Sequence, residues 1–577
     1  MTTSIDFLHG LGLGDTASVV VDTDGTLVLE GPSVGVPISL EFSSPGASLV
    51  ANGTVELRNG ADIDDNFPFL FPRPIGIRVG ESGVLRSSTL GSSRVNAVVE
   101  LAGRVDAAAG SLRLIGPVTT AARSATALLT ASGGSLAVRS LAAGTGSRAT
   151  IDGAGVTLGA PPRNVSHGGG AGDVVLRSGL LRISQWAPSG SGSLHVLSGA
   201  AVEVTAPHRG WGLLLGAGYR VINDGTITFH QVRDRTNPPF LALWSGSFNP
   251  TQVSSELVNN GKLVFQDGAD AHITAGTITN NAGATITKGG DGATLTTTKI
   301  ESAVDNHGTL RSESGLLKVT GAFPAITGTT LTRGTYEAVT SGMLQMPSDV
   351  TDNEATILLD GPGALFEDAE ATHGLRDLTD NGGTLTVRNG ARVRLGSVAQ
   401  RGRLEVATGA TVRATNLTQT AGTTSLTDSD TTLQTAGAAT LTGGVLSGVG
   451  AIRTGLAGLT VKNTGRVEPG LAGVGALSLA GRLTLAAGGT LAVDVDGTGA
   501  GDADRMDVTG PVRLAGALAV DTGYVPVTGD SVELLSATGP LSGAFGQISG
   551  DVLAGGLAWQ PSYDATSASL RASGPPA

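Results

Sequence analysis

The phrase Asn-x-Gly-x-(Leu/Ile/Val) recurs along this 577-residue chain and limits its possible folds more than any other feature. With a looser copy at Gly283, the successive glycines Gly261, Gly283 and Gly308 lie 22 and 25 residues apart. That spacing is the length of one coil of a β-solenoid. Because each copy precedes a short β-forming run, we expect its glycine to supply positive φ where the chain turns. The copies begin at Asn223, Asn259, Asn280, Asn306, Asn381 and Asn463.

A second phrase, in which a strand ends in Gly-Ala and resumes with an apolar residue, supports the same interpretation. It occurs at Gly60, Gly199, Gly390 and Gly409, and the last two are 19 residues apart. Apolar and polar residues alternate around it, as in a strand with one buried face. We therefore predict an all-β fold, a right-handed parallel β-solenoid. About twenty coils at ~4.8 Å each give a length on the order of 100 Å.

The recurring asparagines predict how the inside of such a coil is held together. If Asn223, Asn259, Asn280, Asn306 and Asn381 stack at one corner, each side-chain amide can bond to the amide of the next coil. We therefore assign these asparagines a structural role rather than a ligand-binding role.

The composition favours a narrow core and excludes several functions. The chain has 88 glycines and only 3% aromatic residues, which suits a column of small aliphatic side chains. Its net charge of −12 argues against a nucleic-acid partner. The absence of cysteine excludes disulfides and thiolate metal sites. No apolar run approaches the roughly 20 residues of a transmembrane segment.

The pattern divides the chain into two regions. Residues 1–445 are predicted to form the β-solenoid, with loop insertions near residues 64–74 and 159–249. The first insertion is rich in proline, and the second holds three of the four tryptophans. Insertions in solenoids emerge as loops and often carry the binding function. Residues 446–577 follow a different pattern from these coils.

The C-terminal region resembles the end of autotransporter passenger domains. The motif Asp504-Arg505-Met506-Asp507-Val508-Thr509-Gly510 looks like the Asp-x-Leu-x-Val-x-Gly step of that family. Further matching segments are Val467-Glu468-Pro469-Gly470, Gly475–Gly481, Gly489–Val495, Leu514–Val520, Gly529–Leu535 and Gly543-Ala544-Phe545. The resemblance covers roughly the last 130 residues well, and the earlier coils only in general style.

The resemblance implies that residues 446–577 form a C-terminal β-helix and cap, and it also implies a location outside the cell. In that family this region is a β-helix with a stabilising cap, and the passenger is displayed on the cell surface or shed from it. The chain as given ends without the membrane β-barrel that follows such passengers. We therefore expect an extracellular or cell-surface location, although no signal peptide is visible at residues 1–6.

The second insertion holds the best candidate binding site. Aromatic faces stack on sugar rings and arginine pairs with acidic sugars, so a glycan or protein receptor is the expected partner. The competing interpretation is that these aromatic rings only plug a loop insertion against the column. The candidate residues are Trp186, Trp211, Tyr219, Arg220, Arg233 and Trp244.

No motif identifies catalytic residues, a metal site or a cofactor. Gly529-Asp530-Ser531 resembles a serine-protease phrase, but Val532 replaces the glycine that builds an oxyanion hole. The carboxylates of Asp62, Asp64 and Asp65 can bind calcium, but a solvated loop is the simpler interpretation. The histidines lack the spacing typical of zinc sites.

The function expected from these observations is non-catalytic. We predict a scaffold or adhesin outside the cell, with self-association into fibres as one form of partner binding. The alternative is a β-helix polysaccharide lyase or glycoside hydrolase acting on an acidic glycan, which needs converging carboxylates and basic residues. The residues that qualify are Glu203, Asp224, Asp234 and Glu256 together with Arg220 and Arg233.

Overall fold

The structure of this chain is a computed structural model. It describes residues 2–4, 11–14, 16–31, 39–42, 46–65, 76–159, 170–184, 186, 188, 190–205, 213–216, 218–230, 240–243, 255–266, 269–273, 276–290, 296–371, 374–471 and 473–574. Part of each predicted insertion, residues 66–74 and much of 159–249, therefore lies outside the described residues.

The chain forms two compact units, each built from parallel strands stacked coil upon coil. Unit 1 comprises Met1–Thr309 and Val319–Phe323, and unit 2 comprises Leu310–Lys318 and Pro324–Ala577. The predicted parallel β-solenoid is confirmed, because strands of successive coils pair in parallel and in register in each unit. The strand Thr309–Val319 contains the division between the units.

Among the described residues of unit 1, thirteen parallel strands form one sheet. These are Thr2–Ser4, Thr26–Glu30, Thr54–Arg58, Val84–Ser87, Arg104–Ala107, Ala127–Thr130, Arg148–Asp152, Asp173–Leu176, Ser193–Val196, Arg220–Asn223, Glu256–Asn259, Thr277–Asn280 and Ala303–Asn306. The other described strands of this unit are Leu11–Leu13, Ser18–Val21, Ser39–Phe42, Ser48–Ala51, Asp62–Asp65, Ile77–Val79, Ser92–Asn96, Val99–Leu101, Ser111–Thr120, Ser135–Ala142, Val156–Leu158, Leu180–Ile183, Ala201–Thr205, Leu213–Leu215, Thr226–His230, Phe240–Leu243, Lys262–Gln266, Asp270–Ile273, Thr285–Lys288 and Thr297–Ile300.

Unit 2 is also built mainly from parallel strands, and its described residues include a 3₁₀ turn at Ala554–Gly556. Its described strands are Ile326–Thr327, Thr330–Leu331, Thr335–Gln345, Asp352–Asn353, Thr356–Asp360, Leu365–Glu367, Asp380–Asn381, Thr384–Arg388, Arg392–Gln400, Arg403–Val406, Thr411–Gln419, Thr423–Leu426, Thr432–Thr435, Ala439–Leu441, Val445–Gly448, Ala451–Arg453, Leu459–Val461, Arg466–Pro469, Ala476–Ala480, Leu483–Leu485, Thr490–Val495, Arg505–Val508, Val512–Leu514, Ala517–Thr522, Ser531–Ala537, Leu541–Gly543, Gln547–Ser549, Ala558–Tyr563 and Ser567–Ser573.

The alternating sequence pattern places one side of each strand in the core. In the strand Thr54–Arg58, Val55 and Leu57 are fully buried, whereas the residues between them are half-buried. The same alternation recurs in successive coils because residue i stacks on its partner one coil away. Aliphatic side chains therefore form continuous inward rows, which keeps the core narrow despite the length of the chain.

A ladder of buried asparagine amides runs through unit 1, as predicted. The Nδ2 group of Asn223 donates to Oδ1 of Asn259 at 2.7 Å, and that of Asn259 donates to Asn280 at 2.8 Å. The chain of bonds continues from Asn280 to Asn306 at 2.7 Å. All four side chains are fully buried, so the ladder satisfies amide groups that water cannot reach.

Asn381 belongs to a second ladder in unit 2, so the prediction that all five asparagines share one corner was wrong. Asn353 donates to Asn381 at 2.8 Å, and Asn381 donates to Oε1 of Gln400 at 2.7 Å. Gln400 and Asn353 lie outside the repeated phrase, which is why the sequence pattern did not identify them.

The glycines of the two repeated phrases have different physical roles. The expectation that the glycine of the first phrase has positive φ was wrong at most of its positions. Gly283 has positive φ, but Gly225, Gly261 and Gly308 do not. A Cβ atom built on Gly261 would overlap the carbonyl oxygen of Gly225 in the neighbouring coil. Glycine is needed there because the coils approach closely, not because the backbone is left-handed.

The second phrase contains the left-handed turns. Asn59 and Gly60 both have positive φ, at 53° and 79°, and Asn389 and Gly390 repeat this at 55° and 77°. Two successive residues with positive φ are typical of type I′ turns, which favour Asn-Gly. This phrase therefore marks a local turn, whereas the first phrase marks contact between coils.

The C-terminal end carries a β cap, as predicted. The strand Ser531–Ala537 pairs antiparallel with Ser567–Ser573, which in turn pairs antiparallel with Ala558–Tyr563. Trp559 is buried in this hairpin, and its Nε1 donates to Oγ1 of Thr522 at 3.0 Å. The reversal of direction occupies backbone groups that another parallel strand would otherwise pair with.

We predict that the inward asparagine Asn259 matters far more than its outward neighbour Asn260. Asn259→Ala removes the ladder acceptor of the Asn223 amide and the ladder donor to Oδ1 of Asn280, both in the core, and is expected to cost about 3 kcal/mol of unfolding free energy. Asn260 is exposed and bonds only to other surface groups, so Asn260→Ala is expected to cost less than about 1 kcal/mol. Urea denaturation of both variants measures the difference, and equal losses would contradict a stabilising ladder.

We also predict that the two kinds of glycine respond differently to the same substitutions. Gly199 has a φ of 83° and open space around its Cβ direction, so Gly199→Ala is expected to cost about 1–2 kcal/mol. Gly261→Ala meets backbone and is expected to cost about 3 kcal/mol or more. Asparagine tolerates left-handed backbone, so Gly199→Asn is expected to cost less unfolding free energy than Gly199→Ala. At position 261 the larger asparagine is expected to cost more than alanine, because any side chain there meets backbone. Thermal unfolding of the four variants ranks them, and the same order at both positions would refute the distinction.

Candidate functional site

The predicted binding residues Trp186 and Tyr219 lie inside unit 1. Each side chain is 1% exposed, and their rings meet edge to face with centroids 6.0 Å apart. Trp186 forms a parallel bridge with Leu213, and Tyr219 precedes the strand Arg220–Asn223. Burial raises the pKa of the Tyr219 hydroxyl. As placed, these two rings pack against the column and present no face to a ligand.

Of the other four predicted binding residues, the structure describes only Arg220. The exposed Arg220 is paired through Nε with Glu256 of the next coil at 2.9 Å. Trp211, Arg233 and Trp244 lie outside the described residues. Glycan or receptor binding by this group therefore stays a prediction, and Arg220 is its one accessible described member.

The three described carboxylates that were considered for catalysis have separate partners. Glu203 accepts a hydrogen bond from Nε of Arg182 at 3.1 Å, and Glu256 is held by Arg220. Asp224 lies 2.6 Å from Nε2 of His195, and its other oxygen accepts from Asn260 at 2.7 Å. The hydrogen bonds from His195 and Asn260 lower the pKa of Asp224. Asp234 lies outside the described residues.

The acidic residues near position 62 form part of a strand instead of the expected solvated loop. Asp62 and Asp64 belong to the strand Asp62–Asp65. The Asp62 carboxylate is 5% exposed and accepts from the backbone N of Arg94 at 2.7 Å and from Nη2 of Arg94 at 2.9 Å. Asp64 accepts from Asn96 at 2.9 Å. These bonds use carboxylate oxygens to join neighbouring coils.

One group of acidic residues that the sequence pattern missed can hold a cation. Oxygen atoms of Asp349, Asp368 and Glu370 lie within 4.8 Å of one another, and only Asp368 is buried. Clustered carboxylates suit a hard cation such as calcium. Asp368 also accepts from the backbone N of Glu370 at 3.0 Å, so the group has a structural use. Asp349 lies 19 residues before Asp368, and only the coil repeat brings them together.

A second acidic cluster surrounds the buried carboxyl group of Asp504 in unit 2. Asp504 is 2% exposed and accepts backbone hydrogen bonds from Gly475 at 2.7 Å and from Asp494 at 3.0 Å. Burial raises the pKa of Asp504 to about 7 against the opposing effect of these bonds, and the charges of Asp494 and Glu468 add to the rise. Asp494 also lies directly beside Asp521 in the next coil. The cluster therefore favours a bound proton at Asp504.

No helix among the described residues is long and apolar enough to cross a membrane.

Comparison with known proteins provides no family assignment. No protein-family model matches the chain, and no curated protein matches its sequence significantly.

We predict that protonation of Asp504 stabilises this part of unit 2 in acid. Between about pH 4 and about pH 7 the folded state holds a proton that the unfolded chain, with an ordinary aspartate pKa of about 3.9, releases. The stabilisation of the folded state by this proton is therefore fully present below pH 4 and is lost as the pH rises through 7. The stabilisation amounts to no more than about 4 kcal/mol. Hydrogen exchange of peptides covering 490–510, followed from pH 4 to 8, measures it after correction for the intrinsic exchange rate.

Asp504→Asn is expected to remove this pH dependence, even if its amide changes the absolute stability. The matched control is Asp502→Asn, because Asp502 is exposed and bonds to the local turn at Gly499. The control should keep the slope of the natural protein. An unchanged slope in Asp504→Asn would show that another group is responsible.

Proposed function

We propose that this chain is a non-catalytic β-solenoid outside the cell, a scaffold or adhesin that presents its outward side chains to a glycan or protein partner. The observation that carries the proposal is the in-register stacking of coils. Because of this stacking, each outward position of one coil has a counterpart in the next coil, one inter-strand spacing away. Thr356, Thr384 and Arg403 form one such row. Such a row supports many weak contacts at once, from which multivalent binding gains strength.

The pairing of charges between coils supports a structural and binding role over catalysis. Nη2 of Arg388 contacts Asp360 of the neighbouring coil at 2.7 Å, and Nε of Arg401 contacts Asp380 at 2.7 Å. The hydrogen bonds from Asn389 and Arg388 lower the pKa of Asp360, although burial opposes them. These charges reinforce the stack instead of converging on one reacting position.

The resemblance of residues 446–577 to autotransporter passengers supports a location at the cell surface or in the medium. Self-association into fibres is a further part of the proposal. The antiparallel hairpin at Ala558–Ser573 argues against growth by strand addition at the capped edge, so we expect association through lateral faces.

The alternative function is an enzyme of the polysaccharide lyase or glycoside hydrolase type. One observation favours it: His195 and Asp224 form a half-exposed imidazole–carboxylate pair at 2.6 Å, a pairing used in general acid–base chemistry. The neighbouring Arg220 offers a charge that can bind an acidic sugar.

We predict that the native protein is labelled on intact cells, or recovered from their medium, by an amine-reactive reagent that does not cross membranes. The exposed Lys262 and Lys462 provide the reactive amines. A cytoplasmic protein of the same cells serves as the control and should be labelled only after lysis. Labelling of both proteins only after lysis would overturn the surface location.

Assays on polygalacturonate and alginate separate the two functions. A scaffold or adhesin leaves these polymers intact. Depolymerisation that is lost in His195→Ala, with folding retained, would favour the enzyme instead.

A further inference from the structure

A row of exposed arginines in unit 2 lacks the charge pairing of the arginines near it. Arg388, Arg401 and Arg403 each contact a carboxylate. By contrast, four exposed arginines grouped on one sheet have no ion pair or side-chain hydrogen bond within the described residues: Arg392, Arg394, Arg413 and Arg453. Arg513 and Arg571 of the same sheet are also exposed and without an ion pair there, but the residues beside them in register are not arginines.

Strand register places these arginines in adjacent positions. Arg392 and Arg394 point outward from the strand Arg392–Gln400, since Val393 and Leu395 between and after them are buried. Arg413 lies directly opposite Arg394 in the next coil. In the coil after that, Gln434 lies opposite Arg413, and in the next coil Arg453 lies opposite Gln434. At ~4.8 Å per strand, the row from Arg394 to Arg453 spans about 14 Å.

Beyond Arg453 the neighbouring described strands of the sheet carry no further unpaired arginine at this position. After Arg453 the same position is occupied by Ala480, and beyond that the neighbouring strand carries the paired Arg505 and Asp507. The acids of the adjacent turn are already engaged: Asp428 accepts from the backbone N of Thr408 at 2.7 Å, and Asp430 accepts from Gly409 at 3.0 Å. The row of arginines therefore ends at Arg453 on this side of the sheet.

Stacking Arg394 directly beside Arg413 is unfavourable in the free protein, because like charges opposite each other on neighbouring strands repel. A bound polyanion would remove that repulsion and form charge-assisted, bidentate bonds with the guanidinium groups. The outward hydroxyls of Thr411 and Thr432, beside the row, can donate or accept further hydrogen bonds.

We propose that Arg392, Arg394, Arg413 and Arg453 form a binding site for a linear acidic polysaccharide, a chain of uronic or sulfated sugars lying across the strands of unit 2. This inference rests on the proposed function and names its ligand class. A regular polymer matches the row because both repeat their charges along one axis. The four strands involved contain no aromatic residue on which a nucleic-acid base can stack.

The test measures binding of the full chain to heparin and to polygalacturonate by calorimetry, at several salt concentrations, with dextran as the neutral polymer. We expect the natural protein to bind at least one of the acidic polymers and not dextran. Arg394→Gln combined with Arg413→Gln is expected to weaken binding at least tenfold, and to reduce the dependence of affinity on salt.

The matched control combines Arg388→Gln with Arg401→Gln, which removes the same charge from paired arginines of the same unit. It is expected to bind within about twofold of the natural protein, since affinity tracks the row rather than net charge. Circular dichroism and the urea midpoint of each variant confirm that it folds.

Three outcomes would overturn the inference: absence of binding to both acidic polymers, equal losses in the row variant and the control, or tighter binding to single-stranded DNA than to either polysaccharide. The cell-surface labelling is independent of all three. Surface location without acidic-polymer binding would reject only this site, and binding by a protein found only inside lysed cells would reject the proposed function.

Discussion

The hydrogen bonding of each coil to the next, in parallel and in register, is the constraint on which the rest of this structure depends. It stacks every inward residue on its counterpart, so a polar residue in the core must find its partner in the same row. The asparagine ladder is the direct result: Asn223, Asn259, Asn280 and Asn306 bond to one another because register places each one directly beside the next. The ladder in turn penalises any slip of register, since a shifted amide would face an aliphatic row.

The same constraint explains the two roles of glycine. Where successive coils approach most closely, as at Gly225 and Gly261, a side chain on one coil would overlap the backbone of another. Where the chain only reverses locally, as at Asn389 and Gly390, the need is for positive φ and space is plentiful. One residue type therefore meets a steric requirement at one corner and a conformational requirement at another.

On the outer surface, register converts single side chains into rows. Paired rows, such as Asp360 with Arg388, join the coils. The arginines at 394 and 413 repel each other across the same spacing, and this is the electrostatic reason to regard that face as a binding surface. By contrast, Trp186 and Tyr219 contribute packing against the column as placed. Large aromatic rings can fill an irregular coil as well as bind a ligand, so binding by the other predicted aromatic residues stays a prediction.

The sequence by itself determined the all-β class, the coil length and the parallel stacking, since these follow from the period-two alternation and from phrases repeated at coil spacing. The cap was expected only from the resemblance of residues 446–577 to autotransporter passengers. It also identified four members of the first ladder. Only the tertiary structure decided which residues meet across coils, because coil lengths vary: Asn223 and Asn259 are 36 residues apart, whereas Asn259 and Asn280 are 21 apart. For the same reason Asn381 joined Asn353 and Gln400 in a separate ladder, Asp349 met Asp368, and the arginine row became visible only in the fold. Register is a property of paired strands, and no local pattern in one strand specifies its neighbour.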